Sequence, residues 1–338
     1  MVFKNIFRAV RGMDNSTKTV VIIVNFNGKE FLAQCLESLQ RQVFLNFKTV
    51  VVDNSSDDRS VDGLEGRFPG IEVMRLKKNV GFAAANNYAI KKSEDFQWVA
   101  LLNPDAIAEP DWLVNLHIAA KKKPQYNFFG SKLIKESSSG QLDGTGDIYH
   151  LCGLAWRRDH GATEKQISRL AEEIFSPCAA AAMYRRDIVL EVGGFDERFF
   201  CYFEDIDLAF RLRLLGHRCL YVPNAKVGHF GSAIAGRGSD FAVYHGHRNM
   251  VWAYLKNMPS ELLWRGLLQH ILVNLASLIW FSLHGQAGPI FRAKMDALLG
   301  LRQTIKQRKS IQKNTKVTSK NLKKVLATDW FLPYFKNR

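Results

Sequence analysis

The chain has 338 residues, 47% of them hydrophobic, and a formal net charge of +15 at pH 7. That length and apolar content give a sizeable core and exclude a disordered chain. The charge admits nucleic acid, an anionic membrane or a polyanionic substrate without choosing among them. Cys35, Cys152, Cys178, Cys201 and Cys219 form no CxxC pair and no framework, which speaks against a zinc site and predicts reduced thiols in a cytosolic protein.

Residues 1–18 lack the continuous apolar run of a secretory leader. Phe3, Phe7 and Val10 share one helical face and Lys4, Arg8 and Arg11 another. The arm is either a short amphipathic membrane contact or a disordered leader. Residues 19–24 (TVVIIV) read as a strand buried on both faces. A helix follows through Leu32, Cys35, Leu36 and Leu39, then strands over 48–52 and 71–76. An alanine-rich helix over 81–93 leads to a strand over 98–102. Strands alternating with helices predict an α/β fold with a mostly parallel sheet. Ligands of such sheets sit at the carboxyl ends of the strands, so Asn25–Asn27, Asp53–Asp58 and Asn103–Asp105 are expected on one pocket edge. No GxGxxG follows the first strand and no GxxxxGK[ST] occurs anywhere, against a dinucleotide-binding domain or a P-loop enzyme.

Residues 135–146 read as a surface loop, 168–173 as a helix, 177–184 as a buried strand and 219–222 as a last short strand. Glycines within 232–239 suit a loop over a site. In GGFDERFFCYFEDIDLAFRLRLLGH (193–217), a turn at the glycine pair leads into aromatics and then into acids at a helix mouth. A helix N-terminus favours negative charge, so Asp205 is expected to stay ionised as a general base. Asp207 and Arg211 stand at the i,i+4 spacing of an ordinary helix pair. Phe199, Phe200 and Phe203 read as core, and Tyr202 is the one candidate sugar platform.

A helix is expected over 240–257. Between Arg265 and Arg292 there is no Asp, Glu, Lys or Arg. Gln269, His270, Asn274 and His284 interrupt this run, leaving its apolar stretches short for a membrane span. An interfacial amphipathic helix or a buried helical hairpin fits better. From Arg302 to Lys324 nine basic residues appear with no acid, a pattern that holds anionic headgroups or forms a solvated tail.

VIIVNFNG, VVVDNSSDD, NVGFAAANN, LLNPDA, the 193–217 stretch and VGHF occur in this order, and together they resemble glycosyltransferase family 2. The nearest likeness is to its bacterial rhamnosyltransferase-like branch, and it spans residues 19–258 and the tail. The resemblance implies a GT-A fold, Rossmann-like with flanking helices. Residues 19–239 would form the catalytic domain, with a nucleotide-binding half over 19–134 and an acceptor half over 135–239. Residues 240–338 would form a helical, basic, membrane-peripheral region behind the 1–18 arm. It implies an inverting transferase that uses a dTDP- or UDP-sugar, rhamnose from dTDP-rhamnose first. Its acceptor would be a lipid-linked glycan of a cell-surface polysaccharide, met at the inner face of the cell membrane.

Carried over by motif, Asp205 is the catalytic base, with Glu204 beside it. Asp53 would contact the base of the nucleotide, Asn25 and Asn27 the first strand end, Gly81 and Asn86 the helix behind the nucleotide. Asp105 and His229 would hold Mg²⁺ or Mn²⁺. The first acid of the family's D-x-D is Asn103 here, which removes one carboxylate from the metal. The rival readings are a UDP-hexose, galactofuranose or N-acetylhexosamine transferase, and a catalytically silent scaffold. Nucleic acid is ranked low because the basic residues gather in the tail.

Overall fold

The computed structural model describes residues 18–136, 140–231, 236 and 238–329. The expected N-terminal arm and most of the expected 232–239 loop lie outside the described residues. In chain order the elements are β1 (Thr19–Asn25), α1 (Leu32–Gln40), β2 (Phe47–Asp53), α2 (Leu64–Arg67), β3 (Ile71–Arg75), α3 (Gly81–Lys92), β4 (Trp98–Leu102), β5 (Ala106–Ala108) and α4 (Trp112–Lys122). Next come β6 (Phe128–Lys135), β7 (Leu142–Gly144), β8 (Asp147–Tyr149), β9 (Ala155–Arg157), β10 (Ala181–Arg185), α5 (Arg186–Glu191), α6 (Glu204–Leu214) and β11 (Cys219–His229). Five helices follow among the described residues: α7 (Asp240–Asn257), α8 (Ser260–Leu283), α9 (Ala287–Leu299), α10 (Leu301–Lys313) and α11 (Ser319–Lys323).

The β-branched runs of β1 and β2 are buried almost throughout, because a central sheet covered on both faces removes every side chain from water. The main sheet runs β3-β2-β1-β4-β10-β6-β11-β5, with β7 added to β6. Its first four strands are parallel. Beyond β4 it turns mixed, since β10 is antiparallel to both neighbours. The parallel pairing is therefore confined to β1–β4 and to the β6–β11 pair. One apolar core lies on each face.

Four expectations are corrected. Residues 168–173 form no helix: Glu173 bridges Leu220 and the Tyr221 amide donates to the Glu172 carbonyl, so sheet pairing at the end of the segment overrides a helical apolar spacing. Residues 177–180 form a turn ahead of the strand, which begins at Ala181. The last strand continues to His229, because a bulge between Val222 and Lys226 absorbs Pro223. Within the presumed 135–146 loop, β7 is fully buried.

The C-terminal helices are part of the same body. Leu322 and Leu326 pack with Tyr149, Phe175 and Phe210 in one core. α8, at 24 residues, is longer than expected, and by length and composition it could cross a membrane. Only 17% of its apolar window is buried. Trp264, Leu268, Leu272, Leu275, Ile279 and Leu283 are exposed at helical spacing. α9 adds exposed Phe291, Met295 and Leu299.

Candidate active site

The carboxyl ends of β1 and β4 open into a cleft of about 1070 Å³. Of the expected site residues, Asn27, Gly81, Asn103, Asp105, Glu204, Asp205 and His229 line it. Asn25, Asp53 and Asn86 stand behind its wall, each almost fully buried.

Asn25 and Asp53 are register partners at the ends of β1 and β2. Asn25 Nδ2 donates to Ser56 Oγ at 3.1 Å and Ser60 Oγ at 2.7 Å. Asp53 Oδ1 accepts from the Ser56 amide at 3.2 Å, and Asn27 Oδ1 from the Asp57 amide at 3.0 Å. These groups shape the 54–60 turn, as Asx side chains do. Asn86 donates to the Phe82 carbonyl of its own helix. Asn54 and Asn79 were not singled out by the sequence, yet both line the cleft. Asn54 donates to Asn79 Oδ1 at 2.8 Å and accepts from the Val80 amide at 2.9 Å, fixing the entry to α3. Gly81 has φ +84°, and a Cβ there would lie 2.6 Å from Phe200. Only glycine suits that position.

At the second end, β5 and β11 pair antiparallel with His229 opposite Ala106, which brings His229 against Asp105. His229 Nδ1 is 2.8 Å from Asp143 Oδ2. Its Nε2 is buried without a hydrogen-bond partner among the described residues and lies 3.4 Å from Asp105 Oδ1. Burial opposes the imidazolium, but the two carboxylates outweigh it and raise the His229 pKa. A carboxylate oxygen beside an orphaned imidazole nitrogen, whose other nitrogen is tied to a second carboxylate, fits a divalent cation.

At the third end, α6 begins directly after Phe203 (φ 67°), preceded by Tyr202 (φ 66°) and Phe200 (φ 64°). Such left-handed residues cost about 1–3 kcal/mol each and persist where the surroundings over-determine them. Buried Asn249 does this: its Nδ2 donates to the carbonyls of Phe199, Cys201 and Tyr202 at 2.9, 3.0 and 2.7 Å. Phe199 is core as expected. Phe203 packs against the core as expected and also lines the cleft with Tyr202; Phe200 lines it too, a correction whose cause is this left-handed turn.

Asp205 Oδ2 accepts from the Ala179 amide at 3.2 Å and Oδ1 from the Ile206 amide at 2.8 Å. These bonds favour the carboxylate, but burial outweighs them and its pKa is raised. The expectation of an acid simply kept ionised by the helix end is thus corrected by desolvation. Glu204 is pushed well above the carboxylate range by burial and then by Asp205.

Asp143, Asp147 and Arg157 went unrecognised in the sequence. Arg157 donates from Nη1 to Asp143 Oδ2 at 3.0 Å and from Nε to Asp147 Oδ1 at 2.9 Å. Burial, with Asp205 and Asp143 nearby, pushes Asp147 up to about 7 against the pull of Arg157. Acids spaced among serines and glycines carry no local signal of burial; only their distant partners reveal it.

Residues 20–193 match the model of Glycosyl transferase family 2. Over 249 residues the chain is 28% identical to an N-acetylglucosaminyl-diphospho-decaprenol L-rhamnosyltransferase of Mycobacterium tuberculosis, covering 67% of this chain and 80% of that protein. It is 28% identical over 230 residues to Rhamnosyltransferase WbbL of Escherichia coli (strain K12), covering 62% and 82%. A mannosyltransferase from Pyrobaculum calidifontis, solved with GDP-Man and Mn²⁺, shares the fold with a TM-score of 0.52 at 16% identity, over 91% of this chain and 92% of that one.

Proposed function

The chain belongs to glycosyl transferase family 2, and from that premise we propose that it transfers a sugar, with inversion, from a nucleotide diphosphate to an acceptor hydroxyl. The observation that carries this is one cleft lined by both the Asp105–His229 pair and Asp205. Rhamnose from dTDP-rhamnose is the first donor, after the curated relatives; a UDP-hexose, galactofuranose or N-acetylhexosamine donor would use the same site. The nucleotide lies over the 19–134 half, with Asp53 and Asn25 holding the turn against which its base rests. The acceptor enters over the 135–239 half, and the lipid-linked glycan named for the mycobacterial relative sets its class.

Asp105 and His229 would hold Mg²⁺ or Mn²⁺, the imidazole favouring Mn²⁺, and the cation supplies positive charge for the diphosphate leaving group. Asp205 takes the proton of the acceptor hydroxyl as its oxygen attacks the anomeric carbon. The bond from that carbon to the diphosphate oxygen breaks, and its electron pair leaves with the diphosphate. Phe200, Tyr202 and Phe203 wall off water at the reacting centre.

Thermal denaturation with UDP- and dTDP-sugars tests the donor. At a hundredfold excess over Kd a ligand stabilises the native state by about 2.7 kcal/mol. One donor is expected to raise Tm with Mn²⁺ present, and Asp105→Asn and His229→Ala to lose that gain. A wild type unmoved by every donor would sink the transferase reading.

The exposed apolar stripe of α8 and α9, followed by the acid-free basic helix α10, is proposed to rest on the anionic inner leaflet. Flotation should recover the protein with phosphatidylglycerol vesicles at low salt and lose much of it when Trp264 and Ile279 become Asp. Equal flotation of that variant would refute the docking face.

A further inference from the structure

The two ends of the cleft that handle charge are joined by a chain of ionic contacts between buried acids and the half-buried Arg157. Asp143 Oδ2 receives both Arg157 Nη1 at 3.0 Å and His229 Nδ1 at 2.8 Å. Arg157 Nε reaches Asp147 Oδ1 at 2.9 Å. A carboxylate oxygen of Asp147, one of Asp205 and Cys178 Sγ all lie within 4.8 Å of one another. Asp143 and Asp147 are almost fully buried, while Arg157 also lines the cleft.

We propose that Arg157 is a positioning residue for transfer, one guanidinium that holds Asp143 against His229 on one side and Asp147 beside Asp205 on the other. This rests on the transferase reading above. The planar fork matters, because it offers two fixed N–H directions to two different carboxylates, which an ammonium cannot reproduce. Through Asp143, Arg157 sets the His229 ring so that its Nε2 edge turns to Asp105; a carboxylate behind a ligating histidine fixes its tautomer and orientation. On the other side it is, among the described residues, the cation that offsets a group of carboxylates crowding negative charge in a low dielectric. The groups facing Asp205 are Glu204 and Cys201 from its own segment, Asp147 from β8, Arg157 from β9, and Cys178 and Tyr184 from the β10 side.

Two measurements on the full chain test this without any sugar donor. The first follows Tm from pH 5 to pH 8. Asp147 and Asp205 hold protons in the native state to higher pH than in the unfolded chain, so their contribution is lost as pH rises. Arg157→Met removes the cation and should make Tm fall about 2–5 °C further across that range. Adding Asp205→Asn to that variant should restore the wild-type slope. Lost packing alone would lower Tm equally at every pH and would overturn the proposal. If Arg157→Met does not fold, Asp147→Asn carries the same test in reverse: a flatter slope supports the proposal and an unchanged one defeats it. The second measurement titrates Mn²⁺ by calorimetry, where Asp143→Asn should weaken binding about 10–100-fold; undiminished affinity defeats the His229 arm. A wild type that binds no Mn²⁺ would overturn the metal assignment above, while the Tm series would still decide on Arg157.

Discussion

Asp205→Asn is expected to lower kcat by about 10²–10⁴-fold, the usual worth of a positioned general base, while making the folded protein more stable at pH 8. The loss follows from chemistry. Asparagine has nearly the same shape and can still accept from the Ala179 amide, as Asp205 Oδ2 does, but it cannot take a proton from an attacking hydroxyl. The gain follows from burial, which raises the pKa of Asp205 in the folded state. Below the unfolded carboxylate range, about 3.9, both states are protonated and the group is neutral to stability. Above it the unfolded chain ionises freely and the folded one does so only against desolvation, so stability is lost as pH rises through the folded value. Replacement by a neutral amide removes that penalty at pH 8 and changes little near pH 4. Initial rates and Tm at both pH values check the pair of effects together. An active Asp205→Asn would move the base to another residue, and a destabilised one at pH 8 would mean the carboxylate earns its place structurally.

What the sequence disclosed follows the range of the interactions. β1, β2 and β4 announce themselves because a strand buried on both faces must be apolar at every position, and TVVIIV leaves no other reading. The strand ends of the pocket follow from that, since Asn25 and Asp53 fall where β-branched runs stop. Asp207 and Arg211 were legible as neighbours on one helix, and they do bond at 2.8 Å. Asp143 was not, because its partners His229 and Arg157 come from β11 and β9 and nothing near it in the chain differs from a solvated turn. The 219–222 strand stopped too early for a related reason: Pro223 is a local stop signal, and only the pairing of Lys226–His229 with β6 shows that the strand resumes. Likewise Phe200 looks like core until Asn249, some fifty residues on, is seen to pin the Phe199, Cys201 and Tyr202 carbonyls around it.

The same long-range logic gives the largest expected loss of stability, at Asp207. Its carboxylate is fully buried and accepts from Arg211 Nε at 2.8 Å, Asn257 Nδ2 at 2.7 Å and Lys256 Nζ at 2.7 Å. Lys256, also buried, reaches Asp196 Oδ2 at 2.7 Å. Burial drives the Lys256 pKa down against the pull of both acids. For Asp196, burial is outweighed by Lys256 and Arg198, and its pKa is lowered. Removing one partner from such a group leaves an uncompensated buried charge, at about 3–5 kcal/mol. Asp207→Ala is therefore expected to lose that much in urea unfolding, with Lys256 and Arg211 left facing each other. Lys256→Met should cost less than Asp207→Ala, because Asp207 keeps Arg211 and Asn257. The Asp196 contribution is present above the unfolded carboxylate range and is lost as pH falls through its lowered folded value, so wild type and Lys256→Met should converge in stability on acidification. The consequence reaches the cleft, because Asp207 sits two residues beyond Asp205 on α6 and ties the first turn of that helix to α7. Asp207→Ala should lower kcat even where the protein is folded, whereas a variant that is destabilised yet fully active would show that the Asn249 clamp and the Ala179 amide position Asp205 without it.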